Sequence, residues 1–453
     1  MIRKFLAYKE QYIENLRLAL PVVLAQLGQV LVQVADNVMV GRYGGEDPVP
    51  LAAVSFGGAV WFLLFIAAIG FSAGITPLVG ELYAQGDRVR SARLLQNGVV
   101  FYTMVGVTAM AALLAFEPVM FMLGQPHSVV VESLPYYRLM ACGIPFIMLF
   151  GAFKQFLEGV GNTRAVMVML LAANLLNIFL NWVFIYGRLG APEYGAAGAG
   201  MATLLSRMVL PVMAVVYFMR RPHYRLYMRG FSPLRISREA LASLTRMGAP
   251  IAMQMFLESS AFIATGIMMG WFGEVAIGAN QITITLANCA FMIVMSVGAA
   301  ATIRVSHCYG VRDIDTLSQT VHASYHLGLV WNLFTAAVFI IFRHEIPYIF
   351  TANTEVAELT SRLLIFVALF QLSDGLQNIS VGTLRGIQDV RIIMPIAFMA
   401  YIVLNLPVGY LFGFVWGMGP EGLILGYTFG LTTAAVLMMT RIKRKIALLR
   451  KKQ

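Results

Sequence analysis

One carboxylate lies in the middle of an apolar stretch and is the residue of this sequence most able to carry chemistry. Glu258 is the sole charge between Arg246 and Glu274, in a run long enough to cross a hydrocarbon core about 30 Å thick. An ionised carboxylate near the bilayer centre costs about 2.5 to 3.5 kcal/mol on insertion scales, so such residues usually face a cavity or a partner and mark ion pathways. The alternative is a protonated acid whose polar atoms are satisfied by a neighbouring helix.

Two further acids occur in runs of the same kind. Asp374 lies twelve residues after Arg362 and eleven before Arg385, which places it at mid-depth. Asp36 lies only six residues before Arg42, toward the outer end of its run. A charge inside a membrane needs a partner or a cation, so these acids are also candidates for cation binding.

Amide and hydroxyl side chains accompany the acids at spacings of three and four, so they form polar stripes on otherwise apolar helices. Such stripes can line a substrate cavity, or they can join helices through hydrogen bonds of about 0.6 to 2 kcal/mol each, and the pattern leaves both open. The aromatic Phe370, one turn before Asp374, completes the candidate lining. The polar members are Gln29, Gln33, Asn174, Asn177, Asn181, Gln254, Asn280, Gln281, Thr283, Thr285, Asn288, Gln371 and Asn378.

Arg207 is the one basic residue at depth, thirteen residues before Arg220. Two roles are open for it: an ion pair with an acid of the first half, or a place in the cavity lining of that half. Buried charges are normally paired, which favours the ion pair. The three cysteines show no CxxC spacing and the six histidines are scattered apart from one pair, so neither a disulfide framework nor a zinc cluster is expected. No nucleophile and base assemble either, which argues against an enzyme.

The elements that carry these residues are membrane-spanning helices. The 453 residues are 59% hydrophobic and only 12% charged, which is too apolar for a soluble globular protein. The sequence predicts an all-α polytopic membrane protein with twelve transmembrane helices. Their approximate ranges are 15–40, 51–78, 94–116, 133–153, 165–187, 197–219, 247–272, 278–303, 320–342, 360–383, 392–415 and 421–440.

The net charge of +11 follows membrane topology rather than nucleic-acid binding. If the N-terminus is cytoplasmic, 27 of the 33 lysines and arginines fall on the cytoplasmic side, and only Arg42, Arg138, Arg188, Arg343 and Arg362 fall outside. The positive-inside rule therefore predicts that both termini are cytoplasmic. Contact with the lipid bilayer is expected, and contact with nucleic acid is not.

The second half of the chain repeats the first. Arg17 and Pro21 fall on Arg246 and Pro250 at a common offset of 229 residues, and offsets of 224 to 227 continue the match along about 200 residues. We therefore predict two six-helix lobes, 1–219 and 247–453, joined by a cytoplasmic linker at 220–246; the second lobe ends in a basic cytoplasmic tail. Six helices per half make the repeats parallel, and a midplane site at their interface is the expectation for a secondary transporter.

Five segments resemble the multidrug and toxic compound extrusion (MATE) family, in its bacterial NorM-like branch. They are QVADNVMVGRYG with Asp36, LEGVGNTR, NWVFIYG, PIAMQMFLESSAF with Glu258 and FQLSDGLQNISVGTLRG with Asp374, and the likeness covers nearly the whole chain. The resemblance implies two similar six-helix bundles that export organic cations and drugs in exchange for Na⁺ or H⁺. It further implies that Glu258 and Asp374 are the cation-coupling acids of the second lobe, and would hold Na⁺ if sodium is the coupling ion. Asp36 is then the acid of the first lobe.

We also expect a monomer without a cofactor in the bacterial inner membrane, with small organic cations and drugs, Na⁺ or H⁺, and lipid as its partners. Two positions depart from the family pattern. Another branch of the family places an acid where Asn181 stands, so this chain lacks a pair of acids in the first lobe. Some relatives carry a tyrosine where Phe370 stands, so no hydroxyl contact is available there.

A lipid-linked oligosaccharide flippase with the same two-bundle plan is the nearest alternative function. Such a protein should hold basic residues facing its anionic substrate, whereas the midplane acids here outnumber Arg207. A channel or a membrane-embedded enzyme finds no support in the motifs.

Overall fold

The described residues contain twelve helical segments of membrane-spanning length, and each corresponds to one of the predicted spans. The computed structural model describes residues 8–44, 49–229 and 236–451, and these contain no β-strand. The structure therefore confirms an all-α polytopic membrane protein. Its α-helices are α1 (Lys9–Gly44), α2 (Val49–Ser72), α3 (Ile75–Ala84), α4 (Arg88–Met120), α5 (His127–Cys142), α6 (Ile144–Gly159), α7 (Thr163–Ile185), α8 (Gly195–Arg220), α9 (Pro222–Met228), α10 (Arg238–Gly270), α11 (Glu274–Gly310), α12 (Ile314–Ile341), α13 (Thr354–Gly386), α14 (Ile393–Ala397), α15 (Leu406–Tyr410) and α16 (Pro420–Arg450).

Packing divides the chain into two units. The N-terminal unit comprises Leu24–Ala252, and the C-terminal unit comprises the described residues up to Val23 together with Met253–Gln453. These bounds follow contacts, whereas the predicted lobes at 1–219 and 247–453 follow the sequence repeat and remain a prediction. Within the predicted linker the structure describes the short helix α9 and the start of α10, and residues 230–235 lie outside the described part.

The N-terminal unit is built from helix pairs that pack along their length: α4 against α6, α7 against α8, and α2 against α5. Large aromatic side chains fill the space between them, with Tyr102, Tyr137, Phe153 and Phe156 almost fully buried. Buried tyrosine hydroxyls need an acceptor. Tyr137 finds one in the Leu113 carbonyl at 2.8 Å.

Helix α13 is the central helix of the C-terminal unit, because it packs against α11, α12 and α16. Its approach to α11 is close: a Cβ atom built on Gly382 would lie 2.3 Å from the Gly298 carbonyl oxygen. Small residues permit such backbone contact between membrane helices. Since α13 carries Asp374 and Arg385, this packing sets the position of the backbone that bears both side chains.

The first turns of α1 belong to the C-terminal unit because their polar side chains find partners there. Arg304 donates to the Asn15 side-chain oxygen and to the Gln11 carbonyl, each at 2.9 Å. Asn15 in turn donates to the Ser324 hydroxyl at 2.9 Å. Asn15 and Ser324 are fully buried, so this network holds the start of α1 in place.

Equivalent contacts in the two units show that the sequence repeat is also a structural repeat. In the N-terminal unit the Thr76 hydroxyl lies 3.1 Å from the Gln155 carbonyl oxygen. Thr302, at an offset of 226, places its hydroxyl 2.9 Å from the Gly382 carbonyl oxygen in the C-terminal unit. The same side-chain-to-backbone contact therefore joins corresponding helices in both copies.

Helix caps repeat as well. Asp87 accepts a hydrogen bond from the Arg90 backbone N–H at 2.9 Å and caps α4, and Asp313 accepts one from the Thr316 backbone N–H at 2.9 Å and caps α12. Side-chain acceptors at this position satisfy N–H groups that the helix leaves unpaired. The hydrogen bonds from Thr316 lower the pKa of Asp313 below its usual value.

The eleventh span, residues 390–415, is not a regular α-helix. Two π-helical segments, Phe398–Asn405 and Leu411–Val415, alternate with the short helices α14 and α15. π-Helical turns occur frequently at functional sites because they redirect side chains. Here the first segment buries Tyr401 and Asn405 completely or nearly so inside the C-terminal unit.

Candidate cation and substrate site

Glu258 on α10 and Asp374 on α13 line one small cavity of the C-terminal unit, with a volume of about 60 Å³. That space suits a cation with a few water molecules, whereas sites for drug-sized ligands measure about 300 to 1,000 Å³. The structure thus brings together the two acids that the sequence places at mid-depth. The other lining residues are Phe262, Thr283, Ile284, Ala287, Asn288, Phe291, Phe370, Ile424 and Tyr427.

Asp374 is the less compensated of the two acids. Its side chain is 7% exposed, and within the described residues no hydrogen bond reaches its carboxylate. Among the described residues, the charged group that interacts electrostatically with Asp374 is Glu258, and both carboxylates are negative when ionised. Two facing carboxylates in a low-dielectric cavity cannot both stay ionised at low cost, so this pair is suited to binding a proton or a metal cation.

Glu258 has polar neighbours on three helical segments. Gln254, one turn earlier on α10, donates to Glu258 Oε2 at 2.7 Å. Arg385 Nη2 donates to Gln254 Oε1 at 3.0 Å, and its charge acts on Glu258. The Tyr401 hydroxyl also interacts with Glu258 and lies 3.2 Å from Gln377 Oε1. The Gln254 amide and the Tyr401 hydroxyl therefore contact Glu258 directly, and the Arg385 guanidinium reaches it through Gln254.

Aromatic rings form the apolar wall of the same cavity. The rings of Phe262 and Tyr427 stack with centroids 4.7 Å apart, and the Phe370 ring lies 5.6 Å from that of Tyr427. Phe370 is 5% exposed and lines the cavity together with Asp374. Aromatic faces attract cations, so this wall and the two acids favour positively charged ligands.

The remaining candidates of the C-terminal unit divide between different surroundings. Asn280 and Gln371 are buried, and the Asn280 side-chain oxygen and both amide atoms of Gln371 have no hydrogen-bond partner in the described part of the chain. Gln281 is exposed, and Thr285 donates to the Gln281 carbonyl at 2.8 Å. Asn378 is half-buried against α11. The stripe predicted for α11 therefore spreads over more than one face.

Asp36 is the centre of a separate polar cluster in the N-terminal unit. It accepts a hydrogen bond from the buried Asn181 amide. Asn177 takes the amide orientation that gives both of its polar atoms a complementary partner, donating to Asp36 Oδ1 at 3.1 Å and accepting from the Thr203 backbone N–H at 3.3 Å. The structure thus brings two predicted site residues, Asn177 and Asn181, together around the carboxylate of a third, Asp36.

Three residues predicted for the polar stripes of α1 and α7 do not join the cluster around Asp36. Gln29 and Gln33 are exposed on α1. Asn174 packs against Gly28, where a built Cβ would lie 3.0 Å from its amide nitrogen, and that nitrogen is buried without a partner within the described residues. None of these three amides holds Asp36, and only Gln29 and Gln33 are exposed.

Arg207 stacks on an aromatic pair instead of forming an ion pair within the described part of the chain. Its guanidinium lies 4.6 Å from the centroid of Trp61 and 5.7 Å from that of Phe65. It donates to the Met140 carbonyl at 3.3 Å, and its charge acts on Asp36. The ion pair that the sequence left open is therefore absent among the described residues: aromatic faces hold the cation, and its charge partly offsets that of Asp36.

Sequence reasoning missed Arg385, Tyr401 and Trp61 as members of these clusters. Arg385 counts only toward the cytoplasmic charge in the topology argument, although the repeat offset of 227 sets it against Glu158 and reverses the sign of the charge. That reversal is a signal that could have drawn attention to it. No comparable pattern marks Tyr401 or Trp61, because their roles depend on which helices are neighbours.

The MatE family model matches this chain twice, over residues 21–183 and 250–411, which is the repeat seen in sequence and contacts. A multidrug resistance protein NorM of Photobacterium profundum is 31% identical over 443 residues, and the match covers 96% of each chain. A multidrug resistance protein MdtK of Proteus mirabilis is 32% identical over 445 residues, again with 96% of each chain covered.

Solved structures show the same fold. An outward-facing multidrug resistance MATE family transporter of the MOP superfamily superposes with a TM-score of 0.87 at 21% identity, with 97% of each chain covered. The eukaryotic MATE transporter AtDTX14 superposes with a TM-score of 0.85 at 18% identity, covering 98% of this chain and 99% of the other. With the twofold family match and relatives above 30% identity along the whole chain, this chain belongs to the MatE family.

Proposed function

We propose that this chain is a secondary active antiporter that exports organic cations and drugs in exchange for Na⁺ or H⁺. It is a transporter and not an enzyme, and it is a multi-pass protein of a bacterial membrane. The observation that carries the exchange is the cavity in which Asp374 faces Glu258 with no hydrogen bond to its carboxylate in the described chain. The multidrug resistance names of its NorM and MdtK relatives support the class of substrate.

The charges of the two polar clusters differ, and this difference favours the C-terminal unit as the site of the coupling cation. Glu258 and Asp374 carry two negative charges against one positive charge on Arg385. In the N-terminal unit, Asp36 and Arg207 carry one negative and one positive charge, so the formal charge of that cluster is zero. A low-dielectric site with a net negative charge gains most from a cation.

Exchange follows from competition at the C-terminal acids. Na⁺ or H⁺ neutralises the pair, with the Thr283 and Asn288 oxygens available as further Na⁺ ligands, and the neutral site then attracts a cationic drug less strongly. Coupling is reciprocal, so the drug also weakens cation binding. Alternating exposure of the site to the two sides of the membrane turns this competition into transport.

The acid-lined cavity does not suit the anionic substrate of a lipid-linked oligosaccharide flippase, because the acids would repel it.

For the protein in the cell we propose a monomer in the inner membrane with both termini cytoplasmic. The placement of 27 of the 33 lysines and arginines supports this orientation.

Replacing Asp374 by asparagine tests the exchange, because the amide keeps the size of the side chain and removes its charge. We expect ethidium efflux from reconstituted vesicles, driven by a Na⁺ or a pH gradient applied separately, to fall at least tenfold. Asp315→Asn is the matched control, since Asp315 is exposed and pairs with Arg450 away from the cavity. Export by Asp374→Asn at the unmodified rate would remove the proposal.

A further inference from the structure

We propose that Arg385 is the resident counter-charge of the Glu258–Asp374 pair, that it acts through Gln254, and that it limits coupling to one monovalent cation per transported drug cation. The inference rests on the proposed cation exchange. It assigns roles to two residues that position and balance the acids without lining the cavity itself.

The contact between Arg385 and Glu258 runs through one buried amide. Gln254 is 4% exposed, its Oε1 accepts from Arg385 Nη2 at 3.0 Å, and its Nε2 donates to Glu258 Oε2 at 2.7 Å. The amide dipole thus points its oxygen at the cation and its N–H at the carboxylate. Each charge strengthens the hydrogen bond made to the other, as expected for a polarised chain at low dielectric.

No acid in the described chain forms an ion pair with Arg385, so its charge remains available to the pair of carboxylates. The Arg385 Nε is buried and has no hydrogen-bond partner among the described residues. Arg441 shows the alternative, since it donates directly to Asp389 at 2.8 Å. Among the described residues, Arg385 is also the single cation whose charge acts on the Glu258 carboxylate, and Glu258 is the single charged group that acts on the Asp374 carboxylate.

The charge of the group fixes the number of cations it takes. Two carboxylates and one guanidinium sum to one negative charge, which one Na⁺ or H⁺ neutralises. A second cation would leave a net positive charge in a buried site, which is unfavourable. Without Arg385 the pair would carry two negative charges, and neutrality would then require two cations.

The arrangement is confined to one copy of the repeat. At the position equivalent to Arg385 the N-terminal unit has Glu158, with Lys154 3.6 Å away, and Ala25 stands at the position of Gln254. At these two equivalent positions the N-terminal copy therefore has neither an arginine nor an amide that could join it to an acid. A general requirement of the fold would place them in both copies.

The number of cations per ethidium cation can be measured at static head in sealed vesicles. We would impose a series of Na⁺ or H⁺ gradients and plot the logarithm of the final ethidium ratio against the logarithm of the cation ratio. The expected slope is one for the unmodified protein, which makes exchange electroneutral and insensitive to a potassium diffusion potential. Arg385→Gln should raise the slope toward two and make the ethidium ratio respond to that potential.

Three further variants separate this role from a structural one. Arg385→Lys should restore the slope of one, and Arg441→Gln, at the same end of the unit, should leave it unchanged. Gln254→Leu should shift the slope as Arg385→Gln does, and the double variant should shift it no further, because both changes break one chain. A purely structural role would lower the initial rate without changing the slope or the response to potential.

The possible outcomes separate the proposed role of Arg385 from the proposed exchange of cation for drug. A slope of zero for the unmodified protein under both gradients sinks the proposed exchange itself. A slope of two for the unmodified protein, or a slope of one for folded Arg385→Gln, leaves the exchange intact and overturns the role of Arg385. Additive effects of Gln254→Leu and Arg385→Gln overturn the route through the amide.

Discussion

Asp36 and Asp374 have the same side chain and opposite surroundings. Asp36 accepts hydrogen bonds from two asparagine amides and lies within reach of the Arg207 charge. Asp374 accepts no hydrogen bond in the described chain and faces a second carboxylate. The ionised form of Asp36 is thus compensated by the protein, whereas that of Asp374 needs a cation from outside.

This contrast predicts different effects of neutralising the acids of the two units. Glu258→Gln should shift the Na⁺ or H⁺ concentration for half-maximal efflux about tenfold or more, a change of about 1.4 kcal/mol in cation binding. Asp36→Asn should instead change mainly the apparent affinity for ethidium, because its cluster holds no net charge without a cation. Cation titrations of ethidium efflux at several drug concentrations measure both quantities.

The reverse ranking, with cation dependence lost only in Asp36→Asn, would move the coupling cation to the N-terminal unit. Equal loss in both variants would mean that the two clusters titrate as one network. Arg207→Gln is a useful companion, since it removes the charge that offsets Asp36 and should make the N-terminal cluster more cation-dependent.

At the scale of helices, the close contact between α11 and α13 positions the helix that carries Asp374. Gly382→Ala would place a Cβ 2.3 Å from the Gly298 carbonyl oxygen, so the two helices must separate. We expect a loss of about 1 to 3 kcal/mol in stability, typical of overpacking, together with weaker export. Thermal unfolding of the purified protein in detergent measures the first effect.

Gly266→Ala is the matched control, because a Cβ at that position of α10 meets no atom within 4 Å. The same chemical change should there leave the unfolding midpoint nearly unaltered, and it removes a residue of low helix propensity. Unchanged stability of Gly382→Ala would show that α11 and α13 adjust freely, and that their contact does not hold Asp374 in place.

The sequence predicts those features of the helices and the site that depend on one helix alone, and not those that depend on which helices pack together. Length and hydropathy specify all twelve spans, and depth along each span identifies Glu258 and Asp374, because these properties belong to one helix at a time. The direction of the α11 stripe depends on which helices pack beside it, so Asn280 is buried and Gln281 exposed. The bridge from Arg385 to Glu258 joins two helices and leaves no periodic pattern in either.

For the whole molecule, duplication explains the shared framework and divergence explains the chemistry. The Thr76 and Thr302 contacts and the Asp87 and Asp313 caps persist in both copies. Residues at the polar centres have changed: the repeat sets Gln29 against Glu258, so one copy has an amide where the other has an acid. The contacts that hold the helices together are therefore the same in both copies, whereas an acid present in only one copy makes that unit responsive to cations.

The distribution of positive charge in the whole chain predicts how it lies in the membrane. Single cysteines at Ser232 and Gln453, both outside the described residues, should resist an impermeant thiol reagent added to intact cells and react after permeabilisation. Cys142, Cys289 and Cys308 are all free thiols and must first be replaced. Met122→Cys, 81% exposed between α4 and α5, is the control expected to react from outside. Labelling of Ser232→Cys or Gln453→Cys without permeabilisation would contradict the proposed orientation. The side from which the coupling cation enters would then also be reversed.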